Sequence, residues 1–124
     1  MKKLITIKLL VVIILLSSCK ENYTLRKVVI GRIVNNDLPL KDVSLKYDST
    51  DVLSPQNIKT DNKGFFIMPK IELSDYKEFI SRQKEINNDI IIKKENFKNT
   101  TIKIDKYDKS IDTIDLGIIQ LDKI

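Results

Sequence analysis

The regular alternation of apolar and polar residues is the clearest pattern in this chain, and it predicts β-strands. In residues 42–48, the apolar side chains of Val43, Leu45 and Tyr47 alternate with polar ones. A period of two is typical of an antiparallel strand that has one face in the core and the other in solvent.

Six further segments are rich in Val, Ile or Phe and are bounded by turn residues: 27–34, 58–60, 65–68, 90–92, 100–105 and 114–121. β-Branched and aromatic residues favour strands. Residues 61–64 read Asp-Asn-Lys-Gly, in which Asp61 and Gly64 favour a tight turn, and this predicts a hairpin between the segments on either side. Seven such strands predict a mainly β protein with a seven-stranded, Greek-key-like β-sandwich.

One stretch, the insertion 73–89, departs from the strand pattern. Its apolar residues at near-helical spacing are Tyr76, Phe79, Ile80 and Ile86. This spacing predicts a short helix over residues 75–86, with Ser74 as its N-cap. We expect the helix to cover an open end or edge of the sandwich. Binding of a partner through its apolar face is the alternative.

The composition supports a β fold and excludes several kinds of chemistry. The chain has 21 Ile and no Ala, which disfavours a helix bundle. It has no His, so no imidazole base and no His-ligated metal site can form. A single Cys excludes an intrachain disulfide and a Cys cluster.

The first nineteen residues have the layout of an export signal. Three lysines lie within the first eight residues, an unbroken apolar run covers residues 9–16, and the small residues Ser17 and Ser18 follow. A basic, apolar and small order is typical of a secretory signal peptide, here residues 1–18. The apolar run is shorter than the roughly 20 residues that a spanning helix needs. A buried N-terminal strand is the alternative.

Residues 16–19, Leu-Ser-Ser-Cys, resemble the lipobox of bacterial lipoproteins. The resemblance implies cleavage between Ser18 and Cys19, a lipid on the Cys19 sulfur, and a membrane anchor without a spanning helix. Residues 19–26 would then be the lipidated Cys and a short tether, and residues 27–124 the domain. A structural, buried Cys is the alternative.

Residues 20–22, Lys-Glu-Asn, are similar to the signals that direct Bacteroidetes lipoproteins to the cell surface. We therefore expect a location in the cell envelope, at the outer membrane. The periplasmic and surface faces both remain open, and a plain polar tether is the alternative reading of these three residues.

Processing also changes the charge. Loss of Lys2, Lys3 and Lys8 from the 22 basic residues leaves 19 against 17 acidic ones, so the net charge falls from +5 to +2. The remaining charges alternate in sign along the chain and are typical of a solvated surface. We therefore expect no nucleic-acid partner.

Four motifs occur in order along the chain: residues 31–34 together with 38–45, residues 60–68, residues 90–97 and residues 115–121. Together they resemble the carboxypeptidase regulatory-like domain, also described as transthyretin-like or prealbumin-like. The resemblance implies a β-sandwich, which collagen-adhesin-type repeats share. It also implies turn and structural roles for a set of residues: Gly31, Pro39, Asp61, Gly64, Phe66, Asn96 and Gly117. Phe66 would point into the core, and Asn96, in place of the family's Gly, tolerates a left-handed backbone.

Catalysis, cofactors and metals are not expected. The zinc carboxypeptidases and the ring-opening hydrolases of the transthyretin fold both rely on His. The aspartates Asp105, Asp108, Asp112 and Asp115 are interspersed with lysines, which favours a polar hairpin over a calcium site. Asp112-Thr113-Ile114 matches a short O-glycosylation motif of Bacteroidetes exported proteins.

Two functions are consistent with an anchored domain that has no recognisable set of catalytic residues. The first is a binding or accessory module that presents loops 49–57 and 73–89, or an edge strand, to a protein or glycan partner. The second is a structural partner that stabilises a separately encoded envelope protein and has no discrete ligand. The sequence does not indicate an oligomeric state.

Overall fold

The computed structural model describes residues 21–49, 53–104 and 112–124. Over these residues it contains ten strands and one helix. In chain order they are β1 (Tyr23–Arg26), β2 (Val28–Asn35), β3 (Leu38–Pro39), β4 (Ser44–Tyr47), β5 (Ile58–Lys59), β6 (Phe65–Met68), β7 (Ile71–Leu73), α1 (Tyr76–Glu85), β8 (Ile90–Lys93), β9 (Thr100–Ile102) and β10 (Thr113–Gln120). The seven predicted strands are all present, and β1, β3 and β7 are additional. The prediction of a mainly β fold with one short helix is confirmed.

The strands form two four-stranded sheets and one small pair. In the first sheet, β2 lies between β10 on one side and both β3 and β6 on the other. The second sheet has the order β5-β4-β8-β9. β1 pairs with β7 in the small sheet. The apolar faces of the two larger sheets contribute to one core, as in a β-sandwich.

The core is built from alternate residues of the strands. Val43, Leu45 and Tyr47 are buried, as their period-two pattern predicts, and Ile90 and Ile92 meet them from β8. The complete buried cluster consists of Val29, Ile33, Val43, Leu45, Tyr47, Phe66, Met68, Ile90, Ile92, Phe97, Ile104, Ile114, Ile119 and Leu121. Burial of this apolar surface is the main stabilising contribution to the fold.

The last strand lies parallel to the first core strand. Residues of β10 pair in register with β2 from Thr113 opposite Val28 to Gln120 opposite Val34, with an irregularity between Asp115 and Ile118. The backbone N–H of Leu121 extends this contact by donating to the carbonyl of Val34 at 2.8 Å. Parallel neighbours need a long connection, so this pairing ties together the two ends of the domain.

The prediction of a hairpin around residues 61–64 is wrong. The tight turn is present, but β5 pairs with β4 in the second sheet and β6 pairs with β2 in the first. The turn therefore crosses from one sheet to the other. Just before it, the buried Thr60 hydroxyl donates to the Leu40 carbonyl at 2.6 Å and accepts from the Val43 N–H at 2.9 Å. These bonds fix the chain where it changes sheets.

We expected residues 23–26 to belong to the tether, but the structure places them in β1. Tyr23 lies opposite Leu73, and Arg26 lies opposite Ile71. β1 directly precedes β2 and β7 directly follows β6 in the chain, so the β1–β7 pair comes next to the β2–β6 pair. Leu25 and Arg26 are buried. Burial and pairing explain why the folded domain begins earlier than the composition of this stretch suggested.

The helix is present, with a different cap from the one predicted. α1 begins at Tyr76, and Asp75, not Ser74, is the N-cap. The Asp75 carboxylate accepts the backbone N–H groups of Lys77 at 2.9 Å and Glu78 at 3.4 Å. A carboxylate at this position also interacts favourably with the helix dipole.

Candidate functional site

The residues to which the resemblance assigns structural roles are spread over the fold and do not form one site. Gly31 lies in β2 directly opposite Phe66 of β6. A Cβ atom at Gly31 would lie 2.8 Å from the Phe66 ring, and Phe66 itself is buried in the core. Gly31 therefore makes room for an aromatic ring.

Pro39, Asp61 and Gly64 come together where β3 meets the turn between the sheets. The Asp61 carboxylate accepts the N–H groups of Lys63 at 2.9 Å and Phe65 at 3.0 Å. Gly64 has a φ of +80°, and a Cβ there would lie 2.4 Å from the Ile33 carbonyl oxygen and 3.4 Å from Pro39. Both the backbone conformation and the close approach require glycine.

Two further residues of this set adopt left-handed backbone conformations. Asn96, after β8, has a φ of 71°, and its carbonyl accepts the N–H of Ile124 at 3.0 Å. Gly117 has a φ of 68° at the irregularity in β10. Asp115 accepts the Gly117 N–H at 2.8 Å. These contacts shape turns and a bulge.

Several predicted features lie outside the described residues. They are Ser18, Cys19, Asp105 and Asp108. Within the described residues, no group of three or more acidic or Cys side chains is placed to hold a metal ion. Thr113 of the glycosylation motif is the exposed first residue of β10, whereas Ile114 is buried.

A cleft of about 740 Å³ lies where the C-terminal end of α1 meets β1 and β4. We call it the end cleft. It is lined by Thr24, Leu25, Arg26, Lys27, Tyr47, Gln83, Ile86, Asn87, Asn88, Asp89, Ile104 and Ile114. Its volume is within the range of small-molecule sites. Polar groups line more of the cleft than apolar ones do, and its apolar part is formed by Leu25, Tyr47, Ile104 and Ile114.

Arg26 holds the polar wall of the end cleft in place through its contacts, and it is itself only 2% exposed. Its Nε donates to the Asn88 side-chain oxygen at 3.1 Å, and an Nη donates to the Asn87 carbonyl at 3.3 Å. Its guanidinium carbon lies 4.3 Å from the centroid of the Tyr47 ring, a cation–π contact. A buried guanidinium needs such partners because desolvation of its charge is costly.

Tyr47 provides the inner wall of the cleft and stays neutral at physiological pH. Burial raises the pKa of Tyr47 to about 12, and the charge of Arg26 opposes this shift. The ring therefore contributes a flat, uncharged surface under the guanidinium.

Residues 87–89 form the rim. The Asn87 side-chain oxygen accepts the Asp89 N–H at 2.8 Å, and the Asp89 carbonyl accepts the Asp48 N–H at 2.8 Å. The rim is thus held by one hydrogen bond within residues 87–89 and by another to Asp48, the residue that follows β4. Together with Gln83 it presents amide and carboxylate groups that donate and accept hydrogen bonds, which suits binding of a polar ligand more than covalent chemistry.

The end cleft is not apparent from the sequence pattern, which places Arg26 in the tether and Tyr47 in the core. The run Asn87-Asn88-Asp89 directly before the apolar β8 was the available signal, since polar residues at a strand end often carry function. Only the fold brings this run beside Arg26, which is more than sixty positions away in the sequence.

Comparisons of the chain with family models, with curated proteins and with solved structures find no match. Among the described residues, no helix has the length and apolar character needed to cross a membrane. The function therefore has to be inferred from the residues and their geometry.

Proposed function

We propose that the protein is a lipid-anchored, non-catalytic lipoprotein of the cell envelope, and that its β-sandwich is a binding or accessory module for a protein or glycan partner. The observation that carries the binding role is the end cleft, with its fixed polar rim and apolar floor. The resemblance to carboxypeptidase regulatory-like domains and the absence of His in the sequence support a role without catalysis.

The anchor is supported by the order of residues 1–19, in which the single Cys of the chain follows a basic and then an apolar segment. Membrane fractionation of cells that produce wild type or Cys19→Ser tests it. Wild type should be in the membrane fraction, and its N-terminal peptide should carry the mass of attached acyl chains. Equal distribution of the two proteins would contradict the anchor.

The binding role is tested by filling the end cleft. Gln83 is exposed on α1 and lines the cleft, so Gln83→Trp adds bulk at its mouth without removing a core group. Lys46→Trp is the matched control, because Lys46 is exposed on the outer face of β4. We expect chemical crosslinking in membranes to yield one specific protein or glycan partner with wild type and with the control, and much less with Gln83→Trp.

The same experiment separates the two functions. A partner that crosslinks equally to all three proteins would contradict binding through the cleft. Loss of one envelope protein after deletion of the gene, with no cleft-dependent partner, would favour the structural role over the binding role.

A further inference from the structure

We propose that an aromatic cluster at the start of the folded domain contacts the lipid bilayer that holds the anchor. The aromatic cluster consists of Tyr23, Tyr76 and Phe79. The proposal rests on the proposed anchor at Cys19 for its setting in the cell, and it names a second attachment that the lipid itself does not provide: a fixed orientation of the domain on the membrane.

The three rings form a compact group. The Tyr23 ring centroid lies 5.3 Å from that of Tyr76 and 5.4 Å from that of Phe79. These distances are typical of attractive aromatic pairs. The cluster joins α1 to the small sheet, because Tyr23 is the first residue of β1. A rigid group of this kind can act as one surface.

That surface is partly open to solvent, because Tyr76 is exposed while Tyr23 and Phe79 are half-buried. Tyr76 is 56% exposed, and no residue of α1 is fully buried. A groove of about 440 Å³ lies beside Tyr76 on the helix, and Lys77, Ile80 and Lys84 contribute to its lining. Exposed aromatic and aliphatic groups next to basic ones mark a contact surface for something both apolar and anionic.

The tether decides what this surface meets. Cys19 and Tyr23 are four residues apart, so their Cα atoms are separated by at most about 14 Å even when the chain is fully extended. The headgroup region on each side of a bilayer is roughly 5–8 Å thick. A lipidated Cys19 would therefore keep Tyr23 within reach of the headgroups at all times, at a high effective concentration.

Tyr is enriched at membrane interfaces because its ring is apolar and its hydroxyl group is polar. Lys77 and Lys84 can place their stems along the apolar boundary and their ammonium groups among phosphates. Two carboxylates also lie here: Glu85 lines the groove, and Glu21 accepts the Tyr23 hydroxyl at 3.3 Å. The chemistry of the surface thus matches a lipid headgroup layer, which the tether supplies directly beside it.

A competing surface exists on the first sheet, where Phe65, Ile67 and Ile118 are exposed. These residues flank Arg32, whose guanidinium carbon lies 5.2 Å from the Phe65 ring centroid. Ile67 pairs with Ile30, eleven residues after Cys19. The tether does not constrain this face as closely, and it serves as the comparison in the test.

The test uses vesicles and a single tryptophan, because the chain has none. The mature chain 19–124 is coupled through the Cys19 thiol, the only one in the sequence, to a maleimide lipid in vesicles of phosphatidylcholine and phosphatidylglycerol with brominated acyl chains. Coupling replaces cellular lipidation, so the result does not depend on whether cells modify Cys19. Quenching by bromine reports depth in the bilayer.

Three variants are compared. Tyr76→Trp reports on the aromatic cluster, and Ile67→Trp on the first sheet, where Ile67 is 63% exposed. Leu38→Trp is the control, because Leu38 is 69% exposed and pairs with Asn35 at the end of β2 away from β1. Circular dichroism must show that each variant is folded like wild type.

We expect several-fold stronger quenching in Tyr76→Trp than in Leu38→Trp, with Ile67→Trp close to the control. Equal quenching in all three would overturn the proposal, since the domain would then move freely on its tether. Strongest quenching in Ile67→Trp would also overturn it and assign the contact to the first sheet. Quenching in Tyr76→Trp that appears only at high protein density would mean contact with a second copy and would likewise refute it.

Discussion

Replacement of Gly31 by Ala should destabilise the domain through a single steric conflict. The new Cβ would lie 2.8 Å and 2.9 Å from two atoms of the Phe66 ring. Ordinary carbon contacts are about 3.5–4.0 Å. The ring is buried in the core and lies opposite Gly31 in the strand pair, so it has little room to withdraw.

The magnitude follows from two opposing effects. Overpacking of a filled core costs about 1–3 kcal/mol. Ala in a strand is favoured over Gly by roughly 0.5–1 kcal/mol, and the φ of Gly31 is not in the left-handed region. Because both approaches to the buried ring are below 3.0 Å, the overpacking cost should lie in the upper half of its range, about 2–3 kcal/mol. The net loss in the free energy of unfolding should therefore be about 1–2.5 kcal/mol. For a domain of this size, each kcal/mol lowers Tm by roughly 4–8 °C.

Urea and thermal denaturation, followed by circular dichroism, measure this loss. The steric cause is tested by a double-mutant cycle with Phe66→Leu, because the shorter side chain makes room for the methyl group. Gly31→Ala should cost much less in the Phe66→Leu background. Gly117→Ala is the matched control: its φ of 68° should make Ala costly, but no described atom lies within 4 Å of its Cβ, so Phe66→Leu should not relieve it.

Two results would refute this reasoning. One is a Gly31→Ala domain as stable as wild type, which would mean that the ring moves at no cost. The other is an equal loss in both backgrounds, which would mean that the penalty arises from the backbone of β2.

Three other perturbations have defined outcomes. Thr60→Val should lower the free energy of unfolding by about 2–4 kcal/mol in urea denaturation, because Val43 N–H and the Leu40 carbonyl lose their hydroxyl partner in the core; Thr60→Ser should retain most of the stability. Tyr47→Phe should remove a loss of stability at high pH, because burial raises the pKa of Tyr47 in the folded state to about 12. In urea denaturation, the free energy of unfolding of the wild type should fall by about 2 kcal/mol relative to that of Tyr47→Phe as pH rises from 10 to 12, and the two should change with pH in parallel below pH 9. Asp75→Ala should cost about 1 kcal/mol of helix stability and accelerate amide exchange in α1, whereas Asp75→Asn should not, because an amide oxygen can still cap Lys77 N–H.

Local patterns predicted the elements well because they depend on neighbours in sequence. The alternation of Val43, Leu45 and Tyr47 indicated which face is buried, and the structure buries all three. The turn residues Asp61 and Gly64 were recognisable since one supplies a side-chain acceptor and the other a positive φ. The spacing of apolar residues predicted the helix. It could not select the cap, because the adjacent Ser74 and Asp75 are both good N-cap residues and only the structure shows that Asp75 is used.

Pairing between distant segments was not predictable from such patterns. The turn at residues 61–64 has the same local chemistry whether its flanking strands share a sheet or belong to two. The choice is made by burial of Phe66 and Met68 against β2, and by the Thr60 hydrogen bonds to the backbone of the segment between β3 and β4. The candidate site also depends on long-range pairing, because Arg26 lies in the strand that pairs with β7 and donates to Asn88, which is 62 positions away in the sequence.

By itself, the sequence determined the mainly β character, the buried face of the strand at residues 42–48, the position of the helix and the absence of His chemistry. These depend on composition and on short-range periodicity. The tertiary structure decided the sheet to which each strand belongs, the parallel pairing of β10 with β2, the inclusion of residues 23–26 in β1 and the end cleft. Those features arise from burial and backbone pairing between segments that are distant in the sequence. Their free energies depend on the whole arrangement of the chain, so no single short segment predicts them.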